Sequence, residues 1–267
     1  MLLVNNQQVP FTPGLRLGDL ADRFKPQADV LLLNGRQANP ETLLQDGDHC
    51  ILIKRGEIPS ALDVDQALRQ RHSPEVHERL RRAIVGIMGL GGLGSAVAVS
   101  LVKVGIGQLR IADFDIVELS NIHRQHYFID QIGMTKAAAL KSNLVRINPF
   151  VAVTPLEIEL TAKNIPRLFA GVDVLVECFD DPAMKAAALR TALSRMESTP
   201  YVGSSGMAGY GSGNSIITRR VRPRVYIVGD DTTDVQTCGS LLAPRVGIAA
   251  HHQANQVVRL LLGIDRA

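Results

Sequence analysis

The residues most able to do chemistry begin with one glycine-rich segment. Gly89, Gly91 and Gly94 have the spacing G-x-G-x-x-G, and Gly92 adds a further small residue. Between a strand and a helix, such glycines let the backbone approach a phosphate closely, and the helix N-terminus offers free N–H groups and the positive end of its dipole. Alone, the pattern predicts either a nucleotide site of any kind or tight packing of a helix on a strand.

Acidic, amide and basic side chains follow these glycines. Asp113 ends the next predicted strand, where a carboxylate either accepts hydrogen bonds from both ribose hydroxyls or caps the loop that follows. Asp115 either faces the same way or is a solvated turn residue. A dense polar run then contains Asn121, Arg124 and Gln125, in which amide and guanidinium groups can bind phosphate oxygens.

Two further charged positions point to a triphosphate and a metal ion. Lys136 lies at the start of a predicted helix, where a cation opposes the helix dipole, so we expect an anion such as a phosphate beside it. Asp180 and Asp181 follow a predicted strand and precede Pro182. Asp181 is expected to cap the next helix, leaving Asp180 to hold Mg²⁺ together with phosphate oxygens. We therefore assign catalytic roles to Arg124, Lys136 and Asp180.

Composition narrows the class of protein. The 267 residues are 46% hydrophobic and 21% charged, with a net charge of +3, as in a soluble globular protein without a nucleic-acid footprint. No apolar run reaches the roughly 18 residues of a membrane span. Cys50, Cys178 and Cys238 are too widely separated for a disulfide framework or a zinc site, which favours a reducing cytoplasm.

The chain is predicted to be an α/β protein with three parts. Residues 1–58 have the order strand–strand–helix–strand–strand of a small β-grasp domain, and residues 59–82 form a helical linker. Residues 83–267 alternate strands and helices, as in a Rossmann-like doubly wound sheet. In the first part the predicted strands are 2–4, 7–9, 30–33 and 50–53, and the helix is 17–24. In the last part the predicted strands are 84–88, 109–113, 151–156, 172–178, 201–205, 215–218 and 225–228, and the helices are 92–104, 134–147, 165–169, 182–196 and 246–262.

Five blocks of the sequence resemble the ThiF/MoeB-type adenylyltransferases, which are relatives of ubiquitin-activating enzymes. The resemblance covers about residues 70–263, and its most specific part is the block 113–125. Residues 1–58 resemble the ubiquitin-like sulfur carrier ThiS. The five blocks are Gly89–Gly94, Asp113–Gln125, Gly133–Lys136, Arg146–Pro149 and Cys178–Asp181.

The resemblance implies a set of roles for these residues. It implies that Asp113 binds the ribose of ATP, that Asn121, Arg124 and Lys136 hold the triphosphate, and that Asp180 places Mg²⁺. The implied reaction is the adenylation of the C-terminal carboxylate of a ThiS-like sulfur carrier with a Gly-Gly tail, in thiamine thiazole biosynthesis, with release of pyrophosphate.

The resemblance also implies a homodimer, in which an arginine ahead of the glycine-rich strand reaches the ATP site of the partner subunit. Arg71 is our candidate for that arginine, in competition with Arg69 and the Arg81–Arg82 pair.

The sequence departs from the family's pattern in two places. It lacks the Cys-x-x-Cys pairs that hold zinc in many members, so no zinc is predicted. Cys238 falls in the loop where members that transfer sulfur carry a cysteine, and it is either that functional thiol or a residue without a role in the reaction. The ThiS-like segment has no terminal Gly-Gly and continues through Ile58 and Pro59 into the rest of the chain. Our hypothesis is that this copy cannot be adenylated and instead docks onto or shields the enzyme.

Three alternatives remain open at the level of sequence. An NAD(P)-dependent oxidoreductase would explain the glycines and Asp113 but would leave Arg124, Lys136 and Asp180 without a role. A non-catalytic regulator could bind nucleotide through the same fold. An activator of a related carrier, serving molybdopterin or tRNA modification, would share all of these motifs.

Overall fold

The computed structural model describes residues 1–264, which form two compact units that divide between Ala67 and Leu68. Within this range no helix has the length and apolar character needed to cross a membrane. Each unit has a sheet and a hydrophobic core of its own.

The first unit is a five-stranded mixed sheet with one helix, as predicted for a β-grasp domain. Asn5 and Asn6 both have positive φ (44° and 68°), which closes the predicted hairpin between the first two strands. The buried side chains of Leu17 and Leu20 confirm the amphipathic spacing of the helix. The elements are β1 (Leu2–Val4), β2 (Gln7–Val9), α1 (Leu17–Phe24), β3 (Val30–Leu33), β4 (Arg36–Gln37) and β5 (His49–Ile53), with the sheet order β2-β1-β5-β3-β4.

Two helices precede the second sheet, and the division between the units falls within the first of them. They are α2 (Ala61–His72) and α3 (Pro74–Arg82), the latter capped by the Ser73 side chain. The other helices of the second unit are α4 (Gly92–Lys103), α5 (Lys136–Ile147), α6 (Ile165–Leu168), α7 (Pro182–Arg195), α8 (Val235–Cys238) and α9 (Ala243–Leu261). Its strands are β6 (Ile84–Met88), β7 (Gln108–Ala112), β8 (Ala152–Leu156), β9 (Val174–Glu177), β10 (Tyr201–Ser204), β11 (Ile217–Arg222) and β12 (Val225–Gly229).

The second sheet has the doubly wound order β11-β12-β10-β9-β6-β7-β8, and only the β11–β12 pair is antiparallel among its described strands. The chain adds strands on one side of β6 through β8 and then on the other side from β9 onward. The order therefore reverses between β6 and β9, and in open α/β sheets the crevice at the carboxyl ends of such strands binds ligands.

Side chains of β6 alternate between two hydrophobic cores, because successive residues of a strand face opposite sides of a sheet. Val85 and Ile87 lie in one core with residues of α4, α5 and α9, whereas Met88 lies in the other with residues of α6 and α7. Helices thus cover both faces of the sheet, which explains why β6 and β9 are almost uniformly apolar.

Most predicted elements are confirmed within a few residues, and the differences have local causes. Helix α5 begins at Lys136, because the Thr135 side chain caps it. Strand β11 runs from Ile217 to Arg222 beyond its predicted end, since pairing with β12 outweighs its polar, arginine-rich composition. Helix α9 starts at Ala243, where Pro244 suits the first turn.

Candidate active site

A cavity of about 850 Å³ lies at the carboxyl ends of the strands in the second unit. This volume is typical of small-molecule sites. Its walls come from six stretches at or after the ends of strands. These are the glycine-rich turn after β6, residues 112–125 with Lys136 from the end of β7, residues 158–160 after β8, residues 178–185 after β9, residues 205–208 after β10, and residues 231–236 with Leu241 after β12. All the nucleotide-site residues proposed from the sequence line this cavity except Gly94, which lies behind the turn.

The glycine-rich turn has the backbone geometry of a phosphate-binding turn. Gly89 has φ +85°, and Gly91 is the N-cap of α4, where no side chain caps the helix. The first N–H groups of α4 are therefore left for a ligand. A Cβ at Gly94 would collide with the carbonyl oxygen of Gly89, so Gly94 serves the close packing of the turn against the helix.

Asp113 holds the glycine-rich turn in place. Its Oδ2 accepts a hydrogen bond from the backbone N–H of Leu90 at 2.7 Å, and its Oδ1 accepts one from the N–H of Asp115 at 2.9 Å. Burial raises the pKa of Asp113, an effect that these two hydrogen bonds and the charge of Lys136 oppose. The carboxylate thus connects β7 to the turn while facing the cavity.

Lys136 is buried and paired with a carboxylate of the protein. Its Nζ donates to Oδ2 of Asp115 at 2.7 Å, and the Asp115 carbonyl accepts from the backbone N–H of Lys136 at 2.9 Å. The anion that we expected beside a lysine at a helix start is therefore Asp115, so that expectation does not by itself require a phosphate. Asp115 remains half-exposed and the pair lines the cavity.

The polar run after β7 places an arginine and two amides at the turn. Nη1 of Arg124 donates to the Ser120 carbonyl at 3.3 Å and lies 3.1 Å from Nε2 of His123. The amide of Asn121 bonds locally, its Oδ1 accepting from the N–H of Glu118 at 3.1 Å. Gln125 lines the cavity but is only 8% exposed, and its buried Oε1 accepts no hydrogen bond from any residue in 1–264.

Of the two roles predicted for Asp180 and Asp181, the structure confirms the helix cap. Asp181 is the N-cap of α7, and its Oδ2 accepts from the N–H of Met184 at 2.8 Å. Asp180 lines the cavity and, within residues 1–264, makes no hydrogen bond or ion pair. In that range no three His, Cys, Asp or Glu side chains gather into a metal site. One free carboxylate suits Mg²⁺, which protein sites bind with one or two carboxylates plus phosphate oxygens.

Sequence reasoning missed an ion pair at the cavity wall, between a buried glutamate and the cavity-lining Lys185. Glu177, at the end of β9, is 2% exposed, and Nζ of Lys185 donates to its Oε1 at 2.9 Å and to Oγ of Ser204 at 2.9 Å. Burial raises the pKa of Glu177, whereas Lys185 opposes the increase. This cluster joins β9, α7 and β10 under Asp180. A lone acidic residue in an apolar strand was the signal that could have indicated it.

A second missed pair anchors the opposite wall of the cavity. The buried guanidinium of Arg245 pairs with Asp230, which follows β12, and Nη1 donates to the Gly211 carbonyl at 2.8 Å. Asp230 also accepts hydrogen bonds from the backbone N–H groups of Thr232 and Thr233, each at 2.9 Å. These contacts join the loops after β10 and β12 to α9.

Two remaining candidates lie outside the cavity wall. Cys238 ends α8, is half-buried, and is not among the residues that line the cavity. Cys50 and Cys178 are buried, as predicted. Of the competing arginines, Arg69, Arg81 and Arg82 all pair with Glu78, whereas Arg71 is exposed and makes no ion pair with any described residue.

Comparison with known proteins assigns a family to each part of the chain. The ThiF family profile matches residues 65–267, and the profile of the ThiS-like ubiquitin family matches residues 1–56. The chain is 31% identical over 203 residues to the Escherichia coli molybdopterin-synthase adenylyltransferase, covering 71% of this chain and 77% of that protein. It is 31% identical over 190 residues to the adenylyltransferase and sulfurtransferase UBA4 of Yarrowia lipolytica, covering 69% and 47%. The chain thus spans about half the length of the yeast relatives it matches.

Solved structures share the fold at lower identity. The E. coli tRNA N6-threonylcarbamoyladenosine dehydratase TcdA in complex with AMP aligns with a TM-score of 0.69 and 19% identity, covering 78% of this chain and 98% of that one. E. coli MccB with ATP aligns with a TM-score of 0.56 and 22% identity, covering 72% and 59%.

Proposed function

The chain belongs to the ThiF family and carries a ThiS-like ubiquitin domain, and on that premise we propose that it uses ATP to adenylate the C-terminal carboxylate of a ubiquitin-like sulfur carrier. One observation carries the proposal. Arg124, Lys136 and Asp180, whose carboxylate has no partner among the described residues, line the same cavity as the open N-terminus of α4. A triphosphate with a divalent cation would satisfy all of them.

The nucleotide end of the cavity supports this proposal in detail. The free N–H groups at the start of α4 suit phosphate oxygens. The side chain of Arg124 passes close to this helix start, since a methyl group added to Gly92 would lie 3.5 Å from the Cγ of Arg124. Asp113 has one carboxylate that already accepts two backbone hydrogen bonds, and its remaining lone pairs can accept ribose hydroxyls. Both features favour ATP bound with its triphosphate toward Arg124.

The reaction follows from the charges. A carboxylate oxygen of the carrier attacks the α-phosphorus, the bond to the β-phosphate oxygen breaks, and pyrophosphate leaves with that electron pair, which yields an acyl-adenylate. The carboxylate is already ionised and needs no general base, so the protein must overcome repulsion between two anions. Arg124 and Lys136 reduce that repulsion and stabilise the charge that develops on the leaving group.

Asp180 is the residue that we propose to hold Mg²⁺. Its exposed carboxylate has no protein partner among the described residues and faces the cavity, which fits an ion bound largely through phosphate oxygens. When bound, Mg²⁺ would neutralise charge on the phosphate groups. Lys185 lines the same cavity, but its Nζ already donates to Glu177 and Ser204, so its role would be to support the strand ends rather than to bind phosphate.

We propose a ThiS-type carrier with a free Gly-Gly tail as the substrate, because the fused domain is ThiS-like. The test is ATP–pyrophosphate exchange with purified carriers of the thiamine, molybdopterin and tRNA-modifying classes. Exchange that depends on the ThiS-type carrier supports the proposal, and exchange with another carrier would redirect it within the family. Nucleotide binding without exchange for any carrier would favour a regulator. Quenching or enhancement of NADH fluorescence on binding would favour an oxidoreductase.

A homodimer is the assembly that we propose. Large apolar side chains are exposed on the segment 119–132, including Leu119 (71%), Phe128 (53%), Ile129 (72%) and Ile132 (42%). Exposed apolar patches of this kind mark interaction surfaces. Light scattering is expected to give twice the mass of the 28.9-kDa chain, and Ile129→Asp should lower it to that of one chain.

Mixing two inactive variants tests whether Arg71 acts across that dimer. In a mixed dimer of Arg71→Ala and Arg124→Ala, one site would combine an intact Arg124 with an intact Arg71 from the other subunit. Recovery of exchange on mixing supports a role in trans. Full activity of Arg71→Ala alone would exclude that residue.

The three free thiols also support a reducing, cytoplasmic location.

A further inference from the structure

One histidine lies between the phosphate-binding arginine and the opposite wall of the cavity. Nε2 of His123 is 3.1 Å from Nη1 of Arg124 and 3.3 Å from the carbonyl oxygen of Leu241. His123 is exposed, so its ring can exchange protons with solvent. It is adjacent in sequence to Arg124 but 118 residues away from Leu241.

A single ring nitrogen cannot serve both neighbours at once. To pair with Arg124, Nε2 must be unprotonated and accept from the guanidinium. To pair with Leu241, Nε2 must carry a proton and donate to the carbonyl. A neutral imidazole therefore has two forms. With the proton on Nδ1, Nε2 accepts from Arg124 and its lone pair repels the Leu241 carbonyl. With the proton on Nε2, the ring donates to Leu241 and its N–H repels the guanidinium.

Leu241 belongs to a segment that is held at its two ends. At one end, Asp230 is bound by Arg245 and by the N–H groups of Thr232 and Thr233. At the other end, Leu241 bridges to Gly209 and contacts His123. Between these ends lie α8 with Cys238 and the cavity-lining residues 231–236. The contact with His123 thus links this segment, residues 230–242, to the nucleotide end of the cavity.

We infer that His123 is a positioning residue that makes the placement of the segment 230–242 depend on the state of Arg124. The inference rests on the proposed function, because ATP is the ligand that would draw Arg124 away. Without nucleotide, the Nε2 lone pair accepts from Arg124, and the Leu241 carbonyl gains no hydrogen bond from the ring. With ATP bound, the guanidinium turns to the phosphates, solvent moves the ring proton to Nε2, and Nε2–H donates to Leu241.

The consequence is an order of events. Nucleotide would fix the segment at the edge of the cavity before the carrier tail enters, so the wall that receives the tail is completed only when ATP is present. This assigns a specific task to a side chain that neither binds ATP nor touches the reacting atoms.

Thiol labelling of Cys238 measures the placement of the segment directly. Cys50 and Cys178 are buried, and burial raises the pKa of the Cys50 thiol to about 11, so both react slowly with a disulfide reagent. A Cys238→Ser chain gives their background. In the wild-type protein, ATP with Mg²⁺ is expected to slow labelling of Cys238 by about three- to tenfold, the shift in equilibrium that one hydrogen bond gives.

Three variants separate coupling from a general structural role. His123→Leu removes both contacts at similar volume and is expected to abolish the effect of ATP on labelling. His123→Gln is expected to abolish it in the opposite way, with slow labelling whether or not ATP is present, since one amide can accept from Arg124 through Oε1 and donate to Leu241 through Nε2 at the same time. His251→Leu is the matched control and should behave as the wild type, because His251 is exposed and, within residues 1–264, its ring hydrogen-bonds to the Gly247 carbonyl of its own helix and to no other group.

Calorimetry of ATP binding to each variant distinguishes the possible failures. If the wild type binds ATP and labelling does not change, or if His123→Leu keeps the full effect, the coupling is overturned while the proposed function stands. If the wild type binds no ATP, the proposed function fails and the coupling fails with it. Loss of the ATP effect in both variants, with fast labelling in His123→Leu and slow labelling in His123→Gln, supports the coupling.

Discussion

The two walls of the cavity are built in different ways. The wall that we propose binds nucleotide, called the nucleotide wall below, consists of the turn after β6 and the segment after β7. The residues Asp113, Asp115 and Lys136, which hold it together, line the cavity themselves. The opposite wall consists of loops after β10 and β12, which a buried pair between Asp230 and Arg245 holds to α9. Ligand contacts on the first wall are expected to control activity, whereas the pair behind the second is expected to control stability.

Arg124→Ala should have the largest effect on activity. Arg124 lines the nucleotide wall beside the open start of α4, where charge would develop on the leaving group in the proposed reaction. Loss of such a contact is expected to slow exchange by about 100- to 1000-fold while leaving the unfolding midpoint unchanged. The matched control is Arg195→Ala, at the exposed end of α7. An active Arg124→Ala would remove this residue from the mechanism.

Gly94→Ala and Gly91→Ala test whether the nucleotide wall depends on close backbone packing. The added methyl group would collide with the Gly89 carbonyl at position 94, but would have only Nε2 of Gln125 near it, at 3.7 Å, at position 91. Urea denaturation should show a loss of about 3 kcal/mol or more for Gly94→Ala and about 1 kcal/mol or less for Gly91→Ala. Equal losses would contradict this account of the turn.

Asp230→Asn tests the second wall through its pH dependence. Burial alone would raise the pKa of Asp230, but hydrogen bonds from the N–H groups of Thr233 and Thr232 and from Arg245 lower it from 3.8 to about 2. A lowered pKa in the folded state contributes stability that is fully present above the unfolded value and is lost as the pH falls through the folded value. The contribution is about 2 kcal/mol.

We therefore expect Asp230→Asn to be less stable than the wild type by about 2 kcal/mol near neutral pH, with the gap closing between about pH 4 and pH 2. Chemical denaturation across that range measures it. Asp130→Asn, an exposed residue with no hydrogen bond or ion pair among residues 1–264, serves as the control. A gap that does not vary with pH would show that the carboxylate charge is not what anchors the wall.

The smallest expected effect concerns the fused ThiS-like domain. Residues 54–59 continue from β5 into the rest of the chain without a Gly-Gly terminus, so the domain has no C-terminal carboxylate that could be adenylated. Incubating the protein alone with labelled ATP should leave the domain unmodified, whereas a separate Gly-Gly carrier should become labelled. Covalent label on the fused domain would refute the hypothesis that it only docks or shields.

The difference between the two walls also explains which residues of the candidate site could be predicted from the sequence. Gly89 and Asp113 directly follow strands, and Asp180 comes three residues after the end of β9, so local spacing was enough to predict that all three lie at the carboxyl edge of the sheet. Lys136 was found by its position, although the anion that pairs with it is Asp115. The pairs that involve Lys185 and Arg245 were missed, because their partners lie on other elements and only the packing of the sheet brings them together.

A crystal structure with ATP and Mg²⁺ bound tests the central claim most directly. The account predicts the triphosphate at the start of α4, with the side chains of Arg124 and Lys136 on its oxygens and Asp180 at the ion. A nucleotide bound elsewhere, or these three side chains turned to bulk solvent around it, would contradict the account.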